Sequence, residues 1–174
     1  DITAAPRHAM VGLGIGRTFQ NLALFRSMSV WENVLTGAHA DGRAGFIASA
    51  LAAPAVRAEA RAAEARAREL LMLLDLEKVA GQPVSALPFG WQKRVEMARA
   101  LIARPKLLLL DEPAAGMNPS EKDDLCGLIS QLRRRHGLTV MVIEHHVPLL
   151  MRLCDRMAVL DFGVRIALGT PKSS

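Results

Sequence analysis

Two adjacent carboxylates, Asp111 and Glu112, follow the continuous apolar run of residues 107–110. A short run of this kind is typical of a strand that is buried on both faces of a parallel sheet. Such a strand ends at the carboxyl edge of the sheet, where α/β proteins bind their ligands. One carboxylate there could bind a metal ion, and the second could polarise an attacking water molecule. The alternative is a core strand followed by a solvated turn, and this segment alone does not decide between the two.

A histidine follows the next predicted strand. Residues 139–143 are β-branched and apolar, and they lead into Glu144, His145 and His146. Because neighbouring parallel strands end at the same edge of a sheet, we expect His145 to lie near Asp111 and Glu112. An isolated histidine is more often structural than functional. The position of His145 beyond the two carboxylates is what favours a functional interpretation.

The elements that position these side chains alternate between strand and helix, which favours an α/β sheet. Residues 11–20 predict a short strand that leads into a loop, and strands are also predicted at residues 107–110 and 139–143, with a hairpin across residues 157–168. Helices are predicted at residues 29–37, 55–74, 91–103, 118–135 and 147–154, and a loop or a mobile helical piece at residues 41–54. Residues 29–103 contain helices but no strands, so they predict a helical insertion into the sheet.

The composition is that of a globular chain, with 51% apolar and 22% charged residues among 174. The net charge is +5, but the aromatic content is 4% and tyrosine is absent, so a nucleic-acid partner is not expected. An anionic ligand fits this charge, and a solvated basic surface is the ordinary alternative. Cys126 and Cys154 lack a CxxC companion, which predicts free thiols in a reducing cytoplasm. No apolar run is long enough to span a membrane, so if the protein acts at a membrane it must bind there through a partner protein.

Further segments complete a set of motifs in a fixed order: residues 17–21 (RTFQN), 87–94 (LPFGWQKR), 107–112 (LLLLDE), 114–119 (AAGMNP) and 144–146 (EHH). In this order and spacing, the chain resembles the ATP-binding subunits of ABC transporters over roughly residues 14–171. The resemblance implies an α/β P-loop NTPase core with a helical subdomain. Residues 1–28 would hold the end of a core strand and the Q-loop. Residues 29–103 would form the helical subdomain with the signature helix, and residues 104–174 the RecA-like core with Walker B, D-loop and switch histidine.

The same resemblance implies roles for single residues, with ATP and Mg²⁺ as the bound groups. Asp111 matches the Walker B aspartate, which holds Mg²⁺ through water, and Glu112 matches the catalytic glutamate, which activates the attacking water. Gln20 matches the Q-loop glutamine, which reaches the metal and the water. His145 matches the switch histidine, which binds the γ-phosphate. Asn118 lies in the matching D-loop, which crosses the dimer interface.

The signature segment departs from the usual LSGGQ pattern. Leu87 and Gly90 fit it, and Gln92 follows the position of its last residue, so these three are expected to contact nucleotide. Pro88 replaces the serine whose hydroxyl contacts the γ-phosphate across the dimer. A helix that begins there still presents backbone N–H groups and a positive dipole to phosphate.

The phosphate-binding loop of P-loop ATPases, G-x-x-x-x-G-K-[ST], does not occur in this sequence, and no Gly-Lys pair is present. The family carries that loop several tens of residues before the Q-loop glutamine, whereas only 19 residues precede Gln20 here. The sequence is therefore expected to be truncated at its N-terminus and to be inactive alone. A true pseudo-ATPase is the alternative.

Residues 14–20, 29–34 and 114–119 are similar to those of branched-chain amino-acid importers. The expected function is an ATPase subunit that energises such an importer. Urea or short-amide importers and the lipopolysaccharide-export ATPase share much of the pattern. Two other classes stay open: a non-catalytic regulatory or binding module that pairs with a complete ATPase, and a soluble ABC ATPase of DNA repair or translation.

The importer interpretation implies a set of partners. They are a second ABC ATPase subunit, identical or different, integral membrane permease subunits and, indirectly, a periplasmic solute-binding protein. The expected location is the cytoplasmic face of the bacterial inner membrane, as a peripheral subunit.

Overall fold

A three-stranded parallel sheet positions Asp111, Glu112 and His145 at the ends of two of its strands. The computed structural model describes residue 6 and residues 9–18, 23–40 and 54–171. Within these ranges the sheet has the order β1-β2-β3, and its strands are Ile15–Arg17, Leu107–Asp111 and Thr139–Ile143. Asp111 at the end of β2 lies beside Ile143 at the end of β3. The predicted α/β sheet is confirmed, and both strands end at the same edge.

The chain before β1 turns instead of extending. The sequence predicts a short strand that begins at Val11 and leads into a loop by Gln20, whereas β1 covers Ile15–Arg17. The N–H of Leu13 donates to the Ala9 carbonyl at 3.1 Å, and the N–H of Gly14 donates to the Val11 carbonyl at 2.8 Å. These local hydrogen bonds form turns, so the predicted strand begins too early. The end of this segment, including Gln20, lies outside the described residues.

In the described part of the chain, five α-helices connect and cover the strands: α1, α2, α3, α4 and α5 are Val30–Thr36, Pro54–Leu73, Phe89–Leu101, Pro119–His136 and Val147–Leu153. Short 3₁₀ turns lie at Gly37–Ala40, Glu77–Val79 and Val84–Ala86. Each α-helix agrees with its predicted range to within a few residues. The loop predicted before α2 lies outside the described residues, apart from Pro54, which begins that helix.

Local capping sets the start of α1 and of α4. The N–H of Glu32 donates to Ser29 Oγ at 3.2 Å, and the N–H of Ser29 donates to the Glu32 carboxylate at 2.8 Å. Asn118 and Glu121 exchange the same pair of hydrogen bonds at the start of α4. Both pairs are capping boxes, which satisfy backbone N–H groups that a helix leaves without partners. Gly137 at φ +58° ends α4, as its position predicts.

One continuous core joins the helices to the sheet. Val34 of α1 and Val95 of α3 are fully buried, as are Leu74 and Leu76 just after α2. They belong to the same cluster as the buried leucines of β2 and the inward face of α4: Leu108, Leu110, Ile129 and Leu132. The strand that ends at Asp111 is therefore packed without interruption against the helical part of the chain.

A buried asparagine organises the loop before α1. The Asn33 side chain is fully buried. Its Oδ1 accepts from the N–H of Phe25 at 2.9 Å, and its amide donates to the carbonyls of Phe25, Met28 and Ser29 at 3.0, 3.3 and 3.0 Å. Buried polar groups are stabilising only when their hydrogen bonds are satisfied, and this one is. The loop of residues 25–29 is thus held in one conformation.

The last two described strands form the predicted hairpin. Strand β4, Met157–Asp161, pairs antiparallel with β5, Val164–Gly169. The large apolar side chains of the hairpin are mostly exposed, among them Leu160, Val164 and Ile166. Met141 and Ile143 on β3 are exposed as well.

Cys126 and Cys154 are free thiols, as predicted, and burial raises the pKa of both. None of the described helices is long and apolar enough to cross a membrane.

Candidate nucleotide site at the carboxyl edge of the sheet

Asp111 is the last residue of β2, and Glu112 follows it with a different backbone conformation. The Asp111 carboxylate accepts from the Arg17 guanidinium at 3.2 Å, and its side chain is 23% exposed. Glu112 has φ +45°, in the left-handed region that residues with a Cβ rarely adopt. Its N–H donates to the Ile143 carbonyl at 2.9 Å, which holds this conformation in place. The strained turn directs the chain away from the sheet immediately after the two carboxylates, a feature found at functional sites.

His145 lies between two carboxylates. Its Nδ1 is 3.9 Å from an oxygen of Glu112 and 3.9 Å from an oxygen of Glu144. Both distances are too long for a hydrogen bond, so the imidazole is not committed to either acid by that nitrogen. The His145 side chain is 77% exposed, whereas that of Glu112 is 29% exposed. The imidazole therefore faces solvent beside Glu112 and can meet a ligand there.

Glu144 is the buried acid of the site, with a side chain that is only 2% exposed. It accepts hydrogen bonds from the backbone N–H groups of Ala114, His145 and His146, at 3.0, 3.0 and 3.3 Å. One carboxylate thus joins the loop after β2 to the loop after β3. The sequence motif of residues 144–146 includes Glu144 but gives it no role, because its burial depends on contacts with a distant segment.

His146 caps α5. Its Nδ1 accepts from the N–H of Leu149 at 3.3 Å, and Pro148 lies in the first turn of the helix. The sequence motifs assign no role to His146, and the structure gives it a local one. The two adjacent histidines are therefore different in kind, since His145 faces solvent beside the acids and His146 completes a helix.

The second group of predicted residues lies where α3 and α4 begin. The Gln92 amide donates to the Leu87 carbonyl at 2.7 Å and closes the first turn of α3. A Cβ on Gly90 would lie 3.2 Å from a carboxylate oxygen of Glu121. The other oxygen of that carboxylate accepts from the N–H of Asn118 at 2.8 Å. Glu121 thus brings Gly90 and Asn118 close together within one chain.

Comparison with known proteins agrees with this geometry. The sequence profile of the ABC transporter family matches residues 1–115. The chain belongs to the ABC transporter family. It is 40% identical over 172 residues to the high-affinity branched-chain amino acid transport ATP-binding protein BraF of Pseudomonas aeruginosa, covering 99% of the chain and 68% of BraF. It is 39% identical over 167 residues to the protein LivG of the same description from Escherichia coli K12, covering 96% of the chain and 66% of LivG.

A solved ATP-binding cassette of an ABC transporter has the same fold. It superposes with a TM-score of 0.80 at 29% identity, over 98% of this chain and 66% of that one. A second structure of that cassette is of its ADP conformation, with a TM-score of 0.79 and 28% identity. The chain thus spans about two thirds of the length of these ABC transporter proteins. The expected α/β P-loop NTPase fold is confirmed.

The donor set of this ABC transporter chain fits a hard divalent cation. Mg²⁺ is usually held by one or two carboxylates, with water and substrate phosphates completing the shell. Asp111 and Glu112 supply two partly exposed carboxylates at the sheet edge. Among the described residues, no cluster of three or more His, Cys, Asp or Glu side chains could hold a metal ion. Asp111 and Glu112, together with water and substrate phosphates, could hold such a cation.

Proposed function

We propose that the chain is part of an ATP-hydrolysing subunit that energises an ABC importer of branched-chain amino acids. The observation that carries the chemistry is the convergence of Asp111, Glu112 and His145 at the carboxyl edge of β2 and β3, with 3.9 Å between His145 Nδ1 and Glu112. The observation that favours the transported class is the similarity to BraF and LivG.

Each side chain at the edge has a proposed task. Asp111 would hold Mg²⁺, which neutralises charge on the phosphates. Glu112 would accept a proton from the attacking water, because its carboxylate is next to Asp111 and partly exposed to solvent. His145 would donate a hydrogen bond to the γ-phosphate, for which its 77% exposure leaves it available. Gln20, which lies outside the described residues, is proposed to reach the metal and the water and to sense the membrane partner.

The start of α3 is proposed to contact nucleotide held by a second subunit. Gly90 lies in the first turn of a helix, where backbone N–H groups lack intrahelical acceptors and attract phosphate. Leu87 and Gln92 would shape that turn, since the Gln92 amide closes it on the Leu87 carbonyl. Asn118, linked to the same region through Glu121, would lie at the subunit interface.

Residues 21–37 are proposed to receive the permease. Within the described part of this segment, Phe25 and Met28 are 50% and 37% exposed. Asn33 fixes the loop that presents them, and the Arg99 guanidinium donates to the Ala23 carbonyl from α3. Burial lowers the pKa of Arg99, which reflects how closely it is packed. A rigid surface with apolar side chains at its tip suits a protein partner.

The proposed organisation has three parts: residues 1–28, residues 29–103 and residues 104–174. The middle part contains α1, α2 and α3, and the strands lie on either side of it in sequence. Pairing of β1 with β2 supports a single core formed by the first and third parts. The subunit is further proposed to be peripheral to the cytoplasmic face of the inner membrane. A periplasmic solute-binding protein would be an indirect partner, through the permease.

The test is Glu112→Gln in the assembled transporter. ATP turnover should fall by about 10²–10⁴-fold, the usual effect of losing a general base, while ATP binding persists. Glu59→Gln, an exposed acid on α2, is the matched control and should leave turnover unchanged. Near-normal turnover in Glu112→Gln would reject the catalytic assignment and favour a non-catalytic module.

A further inference from the structure

A cavity lies near the amino-terminal ends of β2 and β3, at the opposite end of these strands from Asp111 and Glu112. It has a volume of about 420 Å³ and opens between α2, the end of α3 and the segments that lead into β2 and β3. Small-molecule sites typically enclose roughly 300–1,000 Å³. The cavity is therefore large enough for a metabolite, and it is separated from the proposed nucleotide site by the length of the strands.

Basic side chains dominate its polar lining. Arg66 comes from α2, and Arg104 and Lys106 come from the segment between α3 and β2. Glu69, one turn along α2 from Arg66, is the acid among the lining residues, so the wall carries an excess of positive charge. None of these four side chains has a hydrogen bond or ion pair within the described part of the chain, whereas other arginines on the surface do. The positive charge is thus available to an anion.

Arg66 lines the cavity with a partly buried side chain. Its Nε is buried and has no hydrogen-bond partner among the described residues. A buried donor without an acceptor is costly, so native structures nearly always satisfy such groups. That nitrogen is closed off from solvent, so the contact with a ligand falls to the terminal N–H groups of the guanidinium, which make charge-assisted hydrogen bonds to carboxylates well.

The floor of the cavity is aliphatic. Leu70 and Leu73 line it from α2, Leu101 and Ile102 from the end of α3, and Leu138 from the segment before β3. Inorganic phosphate would leave this apolar surface uncovered. An aliphatic group would bury against it, which is favourable in proportion to the apolar area removed from water.

We propose that this cavity binds a short aliphatic carboxylate, with the carboxylate on Arg66, Arg104 and Lys106 and the hydrocarbon body on the leucine floor. The ligand would connect α2 to the strands, and so fix the helical part of the chain against the sheet. This site is distinct from the proposed nucleotide site, and its existence does not depend on which solute the transporter carries.

Glu69 can distinguish between two kinds of aliphatic carboxylate, an α-amino acid and a 2-oxo acid. An α-amino acid such as leucine carries an ammonium group that Glu69 can neutralise. The corresponding 2-oxo acid, 4-methyl-2-oxopentanoate, lacks that charge and gains nothing from Glu69. The variant Glu69→Gln should therefore weaken leucine binding and leave binding of the oxo acid unchanged or stronger, if the amino acid is the ligand. If the oxo acid is the ligand, it should bind the unmodified chain more tightly than leucine does.

The experiment is calorimetric or NMR titration of the full 174-residue chain with leucine, with 4-methyl-2-oxopentanoate and with inorganic phosphate. Arg104→Gln and Lys106→Gln should each weaken binding of the aliphatic acid by about tenfold, the expected effect of losing a charge-assisted contact. Arg61→Gln, an exposed arginine on the same helix as Arg66, is the matched control and should bind normally. Circular dichroism and the urea midpoint of unfolding check that each variant is folded. If Arg104→Gln does not fold, the binding test rests on Lys106→Gln, since Lys106 is exposed.

Saturable binding that falls in both lining variants and persists in Arg61→Gln supports the proposal. Absence of binding by both aliphatic acids at millimolar concentration would overturn it. Equal loss in Arg61→Gln would also overturn it, because the contact would then be general surface charge. Binding of inorganic phosphate as tight as that of the aliphatic acids would show that the apolar floor contributes nothing, and would reject the assigned ligand class.

Discussion

The Glu144 carboxylate accepts a hydrogen bond from the backbone N–H of Ala114, 30 residues earlier in the chain, at 3.0 Å. The same carboxylate accepts from the N–H groups of His145 and His146. A single buried acid therefore fixes the chain just beyond Glu112 and the chain that carries His145. The relative position of these two side chains depends on Glu144, which itself need not contact any ligand.

Removing the Glu144 carboxylate should affect stability and activity together. Glu144→Ala removes the acceptor of three backbone N–H groups, two of them partly buried, so the free energy of unfolding should fall by about 1–3 kcal/mol. Glu144→Gln keeps one acceptor oxygen and should cost less. Urea unfolding measures this, with the exposed Asp161→Asn as control. In the assembled transporter, turnover should fall with little change in ATP affinity. A Glu144→Ala variant as stable as Asp161→Asn would contradict the role assigned to the acid.

Replacing His145 and replacing His146 by alanine should have opposite effects on turnover and on stability. His145 is 77% exposed, so His145→Ala should change the free energy of unfolding by no more than about 0.5 kcal/mol. Loss of a hydrogen-bond donor to the γ-phosphate should reduce turnover by about 10²–10³-fold. His146→Ala removes the cap of α5 and should cost about 0.5–2 kcal/mol of stability, with turnover far less affected.

His146→Asn provides a matched rescue, because asparagine is a good N-cap residue. It should restore most of the stability that His146→Ala loses. Urea unfolding and ATP turnover in the assembled transporter measure both effects. Equal loss of turnover in the two alanine variants would mean that the site does not distinguish the histidines, and the proposed role of His145 would be wrong.

The sequence predicts the parts of this structure that local physics determines. The apolar run before Asp111 and the β-branched run before Glu144 give β2 and β3 nearly to the residue. Ser29 with Glu32 and Asn118 with Glu121 give the helix starts, because capping boxes involve residues only three apart. Parallel pairing then follows from the α/β alternation, and it brings Asp111 and His145 to one edge.

Contacts between distant segments are what the sequence does not reveal. Arg17 reaches Asp111 only because β1 lies beside β2, and Glu144 is buried only because the loop after β2 folds over it. His146 could have been recognised from Pro148 in the turn that follows, although histidine is an uncommon cap. The cavity at Arg66 has no linear pattern, since its walls come from three separate segments.

The 174-residue chain alone should show no magnesium-dependent ATP hydrolysis. The sequence lacks a G-x-x-x-x-G-K-[ST] loop, so no backbone cradle or lysine of that motif holds the phosphates beside Asp111 and Glu112. Phosphate release should match a control without protein, and nucleotide binding should be weak. The assembled transporter in the same assay should give turnover. Magnesium-dependent turnover by the isolated chain would refute this prediction.

Alanine substitutions at Gly37 and Gly127 test how closely α1 packs against α3 and how open the surface of α4 is. A Cβ on Gly37 would lie 2.1 Å from the Arg99 carbonyl oxygen, so Gly37→Ala must push the end of α1 away from α3. Overpacking of this kind should lower the free energy of unfolding by about 1–3 kcal/mol or more. A Cβ on Gly127, within α4, would meet no atom within 4 Å, so Gly127→Ala should stabilise the chain by about 0.5–1 kcal/mol. Urea unfolding of the two variants should therefore give shifts of opposite sign. A stabilising shift in Gly37→Ala would mean that α1 and α3 do not approach each other this closely.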